Sequence, residues 1–235
     1  MLWILIPVII IALFICIRAL HVVRPVAGPR DRIVMLRNVK WKTGMIVLMH
    51  TNPWINSFGD GPWSHVAMVI MVDEVPHLFE ITGSGECKAT LKPLMPEFRR
   101  VLSVGNNVVA FRKIHGLTKD FRKKLSEFAH AVVNKGRKYS HIYWREVFQR
   151  LLGWAFPLDT PDIASRGSDC SSIIAETLHK NGVLKRSVRA FEILPSDYSK
   201  GAMRLPLRGP NMRWGTMNFV RITQVNQKKK HDALR

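Results

Sequence analysis

The body of this chain is expected to be an α+β fold, an antiparallel sheet packed against helices and preceded by an N-terminal transmembrane helix. Three observations predict it. Short β-rich runs cluster between residues 43 and 114, helical periodicity takes over after residue 117, and the first 17 residues are apolar and uncharged. Strands grouped before helices, rather than alternating with them, point to a sheet with helices segregated from it.

The strands come first. TGMIVLMH (43–50) is a short apolar run of strand length. SHVAMVIMV (64–72) and HLFEITG (77–83) flank Asp73-Glu74-Val75-Pro76 and read as a hairpin. Between the first two, TNPWINSFGDGPW (51–63) is rich in Pro and Gly and reads as a loop, a candidate lid. NNVVAFRKI (106–114) and RWGTMNFVRI (213–222) are further strand candidates.

Helices follow. In LTKDFRKKLSEFAHAVVNKG, the residues Phe121, Leu125, Phe128, Val132 and Val133 fall on one face, with Thr118 as N-cap and Gly136 beyond the end. HIYWREVFQRLLGW (141–154) is apolar enough for a second packed helix. A third spans the region of GSDCSSIIAETLHKNG (167–182), opened by Ser168 or Asp169 and closed by Asn181-Gly182.

The N-terminal segment reads as an anchor. MLWILIPVIIIALFICI lacks charge, and with Ala19 and Leu20 it reaches the length needed to cross a bilayer core of about 30 Å. A cleaved signal peptide would carry a basic residue ahead of the apolar run and a small-residue cleavage site after it; neither is present. Arg18, Arg24, Arg30, Arg32, Arg37, Lys40 and Lys42 then oppose the lone acid Asp31. Retention of positive charge on the cytoplasmic side predicts a single-pass membrane protein with its folded domain on that side. The implied organisation is an anchor at 1–20, a basic linker at 21–40, the folded domain at 41–225 and a basic tail at 226–235.

Composition narrows the partners. The 235 residues are 47% hydrophobic and 23% charged, a globular balance able to form one substantial core. Lys and Arg outnumber Asp and Glu by 36 to 17, a net charge of +19 that favours anionic surfaces. Membrane tethering accounts for part of that excess, so a membrane containing anionic lipids is the expected partner. No helix-turn-helix, RNP motif or zinc finger is present, and no specific nucleic acid partner is expected. The three cysteines, Cys16, Cys87 and Cys170, form no C-x-x-C pair, which excludes a disulfide framework and a zinc module. No metal or cofactor is expected, and the oligomeric state is left open.

Chemistry centres on Cys170. In the first turn of its helix, unpaired backbone N–H groups and the helix dipole stabilise a thiolate and can receive an oxyanion. A lone cysteine is otherwise a buried, inert residue, so the thiol needs a base to be functional. His65 opens a strand beside the Pro/Gly-rich loop, where an accessible imidazole is useful. A hairpin turning at 73–75 sets His65 opposite about Thr82, with Glu80 two residues along on the same face. A carboxylate there holds the imidazole's tautomer and supports its cation. His77 is the regional rival, on the opposite face.

The order TGMIVLMH, WSHVAMVI, LFEITGSG, VVAFRKI, GRKYS, DCSSIIAETLHKNGV and ILPSDY resembles that of the permuted NlpC/p60 hydrolases, the bacterial YiiX-type and poxviral branch of the papain-like thiol enzymes. The resemblance covers about residues 41–200. It implies a circularly permuted papain-like fold with Cys170 as nucleophile, His65 as base and Glu80 as the orienting residue. Tyr139 matches a tyrosine near that family's active site. Ser64, Asp169 and Ser171, beside the catalytic candidates in the chain, complete the supporting set. Met45 departs from the acid usual in the family's strand opening, and Ser-Ser-Ile follows Cys170 in place of the frequent Ser-Glu.

The resulting expectation is a membrane-anchored thiol hydrolase. It would cleave an amide or ester bond of a lipid, lipoprotein or peptide through an acyl-cysteine. Two other readings stand beside it. One is a thioester-forming acyltransferase similar to the lecithin-retinol acyltransferase branch, weakened by the absence of its Asn-Cys motif. The other is a non-catalytic basic membrane-associated binding module.

Overall fold

The structure, a computed structural model, describes residues 25–51, 62–82, 87–105, 107–139, 169–188, 190 and 193–221. Its elements in chain order are β1 (Arg32–Met35), β2 (Ile46–His50), β3 (His65–Val72), β4 (Val75–Ile81), β5 (Ala89–Pro93), α1 (Leu94–Leu102), β6 (Val108–His115), α2 (Lys119–Asn134), α3 (Cys170–Lys180), α4 (Asp197–Lys200) and β7 (Arg213–Arg221). The strands form one sheet of seven in the order β1-β7-β6-β2-β3-β4-β5.

The sheet is mixed, which corrects the antiparallel expectation. All pairings are antiparallel except β1 with β7, which run parallel through Arg32↔Asn218 to Met35↔Arg221. The added strand lies in the stretch read as a linker. Within that basic stretch, Ile33-Val34-Met35-Leu36 is a short apolar run, and Leu36 is buried against the sheet. Four residues among arginines give too brief a pattern to stand out in a sequence.

Helices cover both faces. Every residue of β2 is buried, so the strand reads IVLMH as a continuous apolar run rather than an alternation. On one face Leu94, Phe98 and Val101 of α1 pack with Val47, Met49, Ala67, Val69, Leu78 and Phe111. On the other, Leu125, Ala129 and Val132 of α2 and Ile173, Ile174 and Leu178 of α3 pack with Ile46, Leu48, Val66, Met68 and Phe79. Met45 is 2% exposed in the α1 layer and serves as core.

The hairpin between β3 and β4 turns through Asp73 and Glu74, with φ of 48° and 63°, joining Val72 directly to Val75. Two left-handed residues in succession give the turn whose twist matches that of antiparallel strands. Helix α2 starts at Thr118, whose side chain accepts from the Phe121 amide, and gives way to Gly136 at φ 61°. Helix α3 is followed by Gly182 at φ 72°.

Elements β5 and α1 were not read from the sequence. In ATLKPLMPEFRR the prolines look like breakers. Pro93 nonetheless ends an edge strand, and Pro96 sits in the first helical turn, where no amide partner is needed.

The membrane expectation is corrected. Among the described residues no helix is long and apolar enough to cross a membrane, which overturns the single-pass localisation. The longest described helix, α2, spans 16 residues and presents a charged face through Lys119, Asp120, Lys123, Lys124 and Glu127. The segment 1–20, the helix expected at 141–154, most of the loop 51–63 and the tail 226–235 lie outside the described residues.

A turn between β6 and α2 supplies a test of this packing. Gly116 has φ 80°, and a Cβ there would run into the Asn211 backbone carbonyl. Gly116→Ala should lower unfolding free energy by about 1–3 kcal/mol, measured by urea denaturation; an unchanged midpoint would contradict the close approach.

Candidate active site

The first residue of β3 and the sixth of β4 are joined across the hairpin. Printed pairs run from Met68↔Phe79 to Val72↔Val75, and the same register extends to His65 opposite Thr82 and Ala67 opposite Glu80. Side chains of His65 and Glu80 therefore share a face, as the spacing predicted. The imidazole Nε2 donates to Glu80 Oε2 at 2.8 Å. The imidazole is 16% exposed and the carboxylate 2%.

A third strand holds the other carboxylate oxygen. Lys92 Nζ on β5 donates to Glu80 Oε1 at 3.0 Å. Burial alone pushes the Glu80 carboxyl upward, but the hydrogen bonds and positive charges of His65 and Lys92 outweigh it. The net result lowers its pKa from 4.5 to about 2.

Cys170 reaches the imidazole from the other side of the sheet. Its helix packs with Val66, Met68 and Phe79, while Ala67 and Leu78, on the His65–Glu80 face, belong to the α1 layer. Because His65 begins its strand, its ring sits at the sheet's end, within reach of both layers. Burial draws the imidazole pKa down, yet the charge and hydrogen bond of Cys170, joined by those of Glu80, raise it from 6.5 to about 10. With Nε2 committed to Glu80, Nδ1 is the nitrogen open to the thiol.

The position of Cys170 follows from its helix cap. Asp169 is the N-cap, its Oδ1 accepting from the Ser172 amide at 2.6 Å and the Ser171 hydroxyl at 2.9 Å. Ser172 returns the bond, its Oγ accepting from the Asp169 amide at 2.9 Å, which closes a capping box. Thus Asp169 and Ser171 build the helix start that carries the thiol. The amides of Cys170 and Ser171 precede the capped Ser172 amide and stand at the positions where a helix leaves its donors unpaired.

Ser64 supports the histidine in the same indirect way. Buried at 4% exposure, it donates to the Met49 carbonyl at 3.1 Å and accepts from the Thr51 amide at 2.9 Å, tying β2 to the entry of β3. Tyr139 is half-buried against the α2–α3 core, and its amide donates to the Cys87 carbonyl at 2.7 Å. That places Tyr139 beside the start of β5.

Two supports of this side-chain cluster escaped the sequence reading. Lys92 belongs to the unread strand β5. Tyr198, quoted within ILPSDY but given no role, is fully buried and donates from its hydroxyl to the Ser171 carbonyl at 2.8 Å. Burial and the nearby charges of Asp169, Cys170 and Asp197 push its phenol well above its ordinary pKa, keeping it a proton donor. Arg112 in turn fixes α4, donating to the Tyr198 carbonyl at 3.1 Å, the Ser199 carbonyl at 2.7 Å and the Gly215 carbonyl at 2.9 Å. A buried tyrosine in a short loop-flanked helix gives no sequence signal of such a contact.

The rival histidines are engaged elsewhere. His77 Nδ1 donates to the Val75 carbonyl, His50 Nδ1 to the Pro62 carbonyl and His130 Nδ1 to the Ser126 carbonyl. Among the described residues no group of three or more His, Cys, Asp or Glu is placed to hold a metal ion.

No protein-family model matches this chain, and no curated protein does. Among solved structures it is similar to the metalloprotein yiiX from Escherichia coli O157:H7, at 16% identity and a TM-score of 0.46, over 76% of this chain and 98% of that one.

The two shifted groups set a pH dependence of stability. Glu80, lowered on folding, contributes stability that is present above 4.5 and lost as pH falls towards about 2. His65, raised on folding, contributes stability that is full below 6.5 and lost as pH climbs to about 10. Urea unfolding across pH should show a plateau between 4.5 and 6.5, with both falls smaller in His65→Gln. Identical curves for the two proteins would show that the pair does not form.

Proposed function

We propose that this protein is a cysteine hydrolase of the permuted papain-like type, cleaving an amide or ester bond through an acyl-enzyme. The observation that carries the reading is the His65 imidazole held between the Glu80 carboxylate and the Cys170 thiol. A merely structural histidine has no use for a charged, buried partner on one side and a nucleophile on the other.

In this mechanism the proton moves from Sγ to Nδ1, leaving a thiolate beside an imidazolium. The thiolate attacks the substrate carbonyl carbon, and the carbonyl π electrons move to oxygen. The Cys170 and Ser171 amides, aimed out of the helix start, are suited to receive that oxyanion. Collapse of the tetrahedral intermediate breaks the bond to the leaving amine or alcohol, which takes the proton from Nδ1. Water then enters, gives its proton to the same nitrogen and attacks the thioester; the acid departs and Sγ is freed. Throughout, Glu80 accepts from Nε2–H, fixing the tautomer and supporting the cation.

Substrate class is stated no more finely than a carboxylic amide or ester. The preference for lipid rested on a membrane-spanning anchor, and no described helix is long and apolar enough to cross a membrane.

A thiol-directed activity probe should label Cys170, fail on Cys170→Ala and label His65→Ala at least about 100-fold more slowly, by quantitative mass spectrometry. After incubation with cellular lipids and peptides, a mass increase of one acyl group on Cys170 is expected. Equal labelling of wild type and His65→Ala would sink the pairing and the reading with it.

A further inference from the structure

The carboxylate of Glu80 is gripped from two strands, and only one of the grips belongs to the Cys-His-Glu arrangement. Lys92 pairs in register with Leu78, two residues before Glu80, and its side chain reaches diagonally to Oε1 at 3.0 Å. The residue directly opposite Glu80 is Thr90, and its Oγ1 is buried without a hydrogen-bond partner among the described residues. The hydroxyl directly opposite in register is thus passed over in favour of a diagonal cation. With Oε2 taken by His65 and Oε1 by Lys92, the carboxylate plane has one orientation.

From this geometry we infer that Lys92 is a positioning residue of the proposed hydrolase, acting through Glu80 to hold His65 in register with Cys170. The inference rests on the thiol hydrolase reading and extends its constellation by one strand, to Cys170-His65-Glu80-Lys92. No atom of Lys92 is required at the scissile bond.

The charged neighbourhood supports a specific task for this amine. Groups facing Glu80 are His65 from β3, Lys92 from β5 and, at longer range, Arg100 from α1. Arg100 is already paired with Glu97 on its own helix. Cys170 of α3 faces His65. Burial pushes a carboxylate towards its neutral form, and each cation beside it opposes that push. A second cation keeps it ionised and hence an acceptor for Nε2–H at mildly acidic pH. At 41% exposure Lys92 can supply that charge from the surface without itself being buried.

The test reads Cys170 reactivity directly and requires no substrate. The full chain is alkylated with iodoacetamide between pH 4 and 9, with Cys170 modification followed by mass spectrometry. At the acid end of that range wild type should be modified faster than His65→Ala, because the imidazolium holds the thiolate. Lys92→Met, which keeps the aliphatic stem, should shift the acid limb upward and slow alkylation about tenfold at pH 5. The two proteins should converge by about pH 9, where any thiol of ordinary pKa is largely ionised. Lys92→Arg should restore the wild-type limb.

An unmoved acid limb in Lys92→Met overturns the inference and leaves the hydrolase reading standing. A uniform slowing at every pH with a lowered melting temperature also overturns it, because that is the mark of a structural lysine. Wild type that reacts like a free thiol, with His65→Ala indistinguishable, removes the hydrolase reading and this inference together.

Discussion

The arrangement depends on one buried anion. The Glu80 carboxylate is 2% exposed at the end of a sheet, where an unpaired charge would be far costlier than an apolar residue of its size. Its two partners come from the strands on either side, so three strands must hold register for the charge to be tolerated. A slip of one residue in β4 would turn Glu80 into the α2–α3 core and leave His65 facing an apolar side chain. Buried ion pairs are weak evidence for stability, since apolar replacements of similar volume often do as well. What the pair does provide is a fixed imidazole, and a fixed imidazole is what a thiol needs from a base.

The cysteine is positioned by a separate set of constraints. Its helix belongs to the layer opposite α1, and its first turn is set by the Asp169–Ser172 capping box and by the Tyr198 bond to Ser171. Tyr198 depends on Arg112, whose guanidinium ties β6, β7 and α4 together. Gly201, at φ 59°, lets the chain pass the guanidinium where a Cβ would collide with it. The two halves of the site are thus anchored in two different cores and meet only at the His65 ring. Close packing on both sides makes their separation a stiff quantity, which suits a proton transfer that tolerates little misplacement.

Much of this was legible in the sequence, and for identifiable reasons. The hairpin register could be derived because Asp73-Glu74 is a tight turn between two long β-rich runs, and counting outward from it brings His65 and Glu80 to one face. The α3 start was legible because Asp at an N-cap is a strong local signal. Strand β1 was not, because four residues among arginines carry no period, and its parallel pairing with β7 is a contact across the whole chain. Strand β5 and helix α1 were hidden by Pro93 and Pro96, breakers whose positional exceptions only show once the strand edge and helix start are located. Lys92 was lost with them. The apolar opening of the chain suggested a membrane protein, a step from composition to location that the described helices do not support.

Local motifs give residues their places, but the chemistry is a property of pairs. Each of His50, His77 and His130 meets a backbone carbonyl through Nδ1, an arrangement that fixes a tautomer. His65 differs in that its partners are ionisable, an acid at Nε2 and a thiol beyond the ring's other nitrogen. An acid on one side raises the imidazole's affinity for a proton; a thiol on the other is the donor that supplies it. The two effects reinforce each other, because the imidazolium so formed stabilises both anions that formed it. Lys92 places a fourth charge at the outer end of the same line, so that cation and anion alternate from Lys92 through Glu80 and His65 to the Cys170 thiolate. In the proposed mechanism each charge of that alternation stabilises its neighbours, which is the physical reason for expecting Cys170 to react.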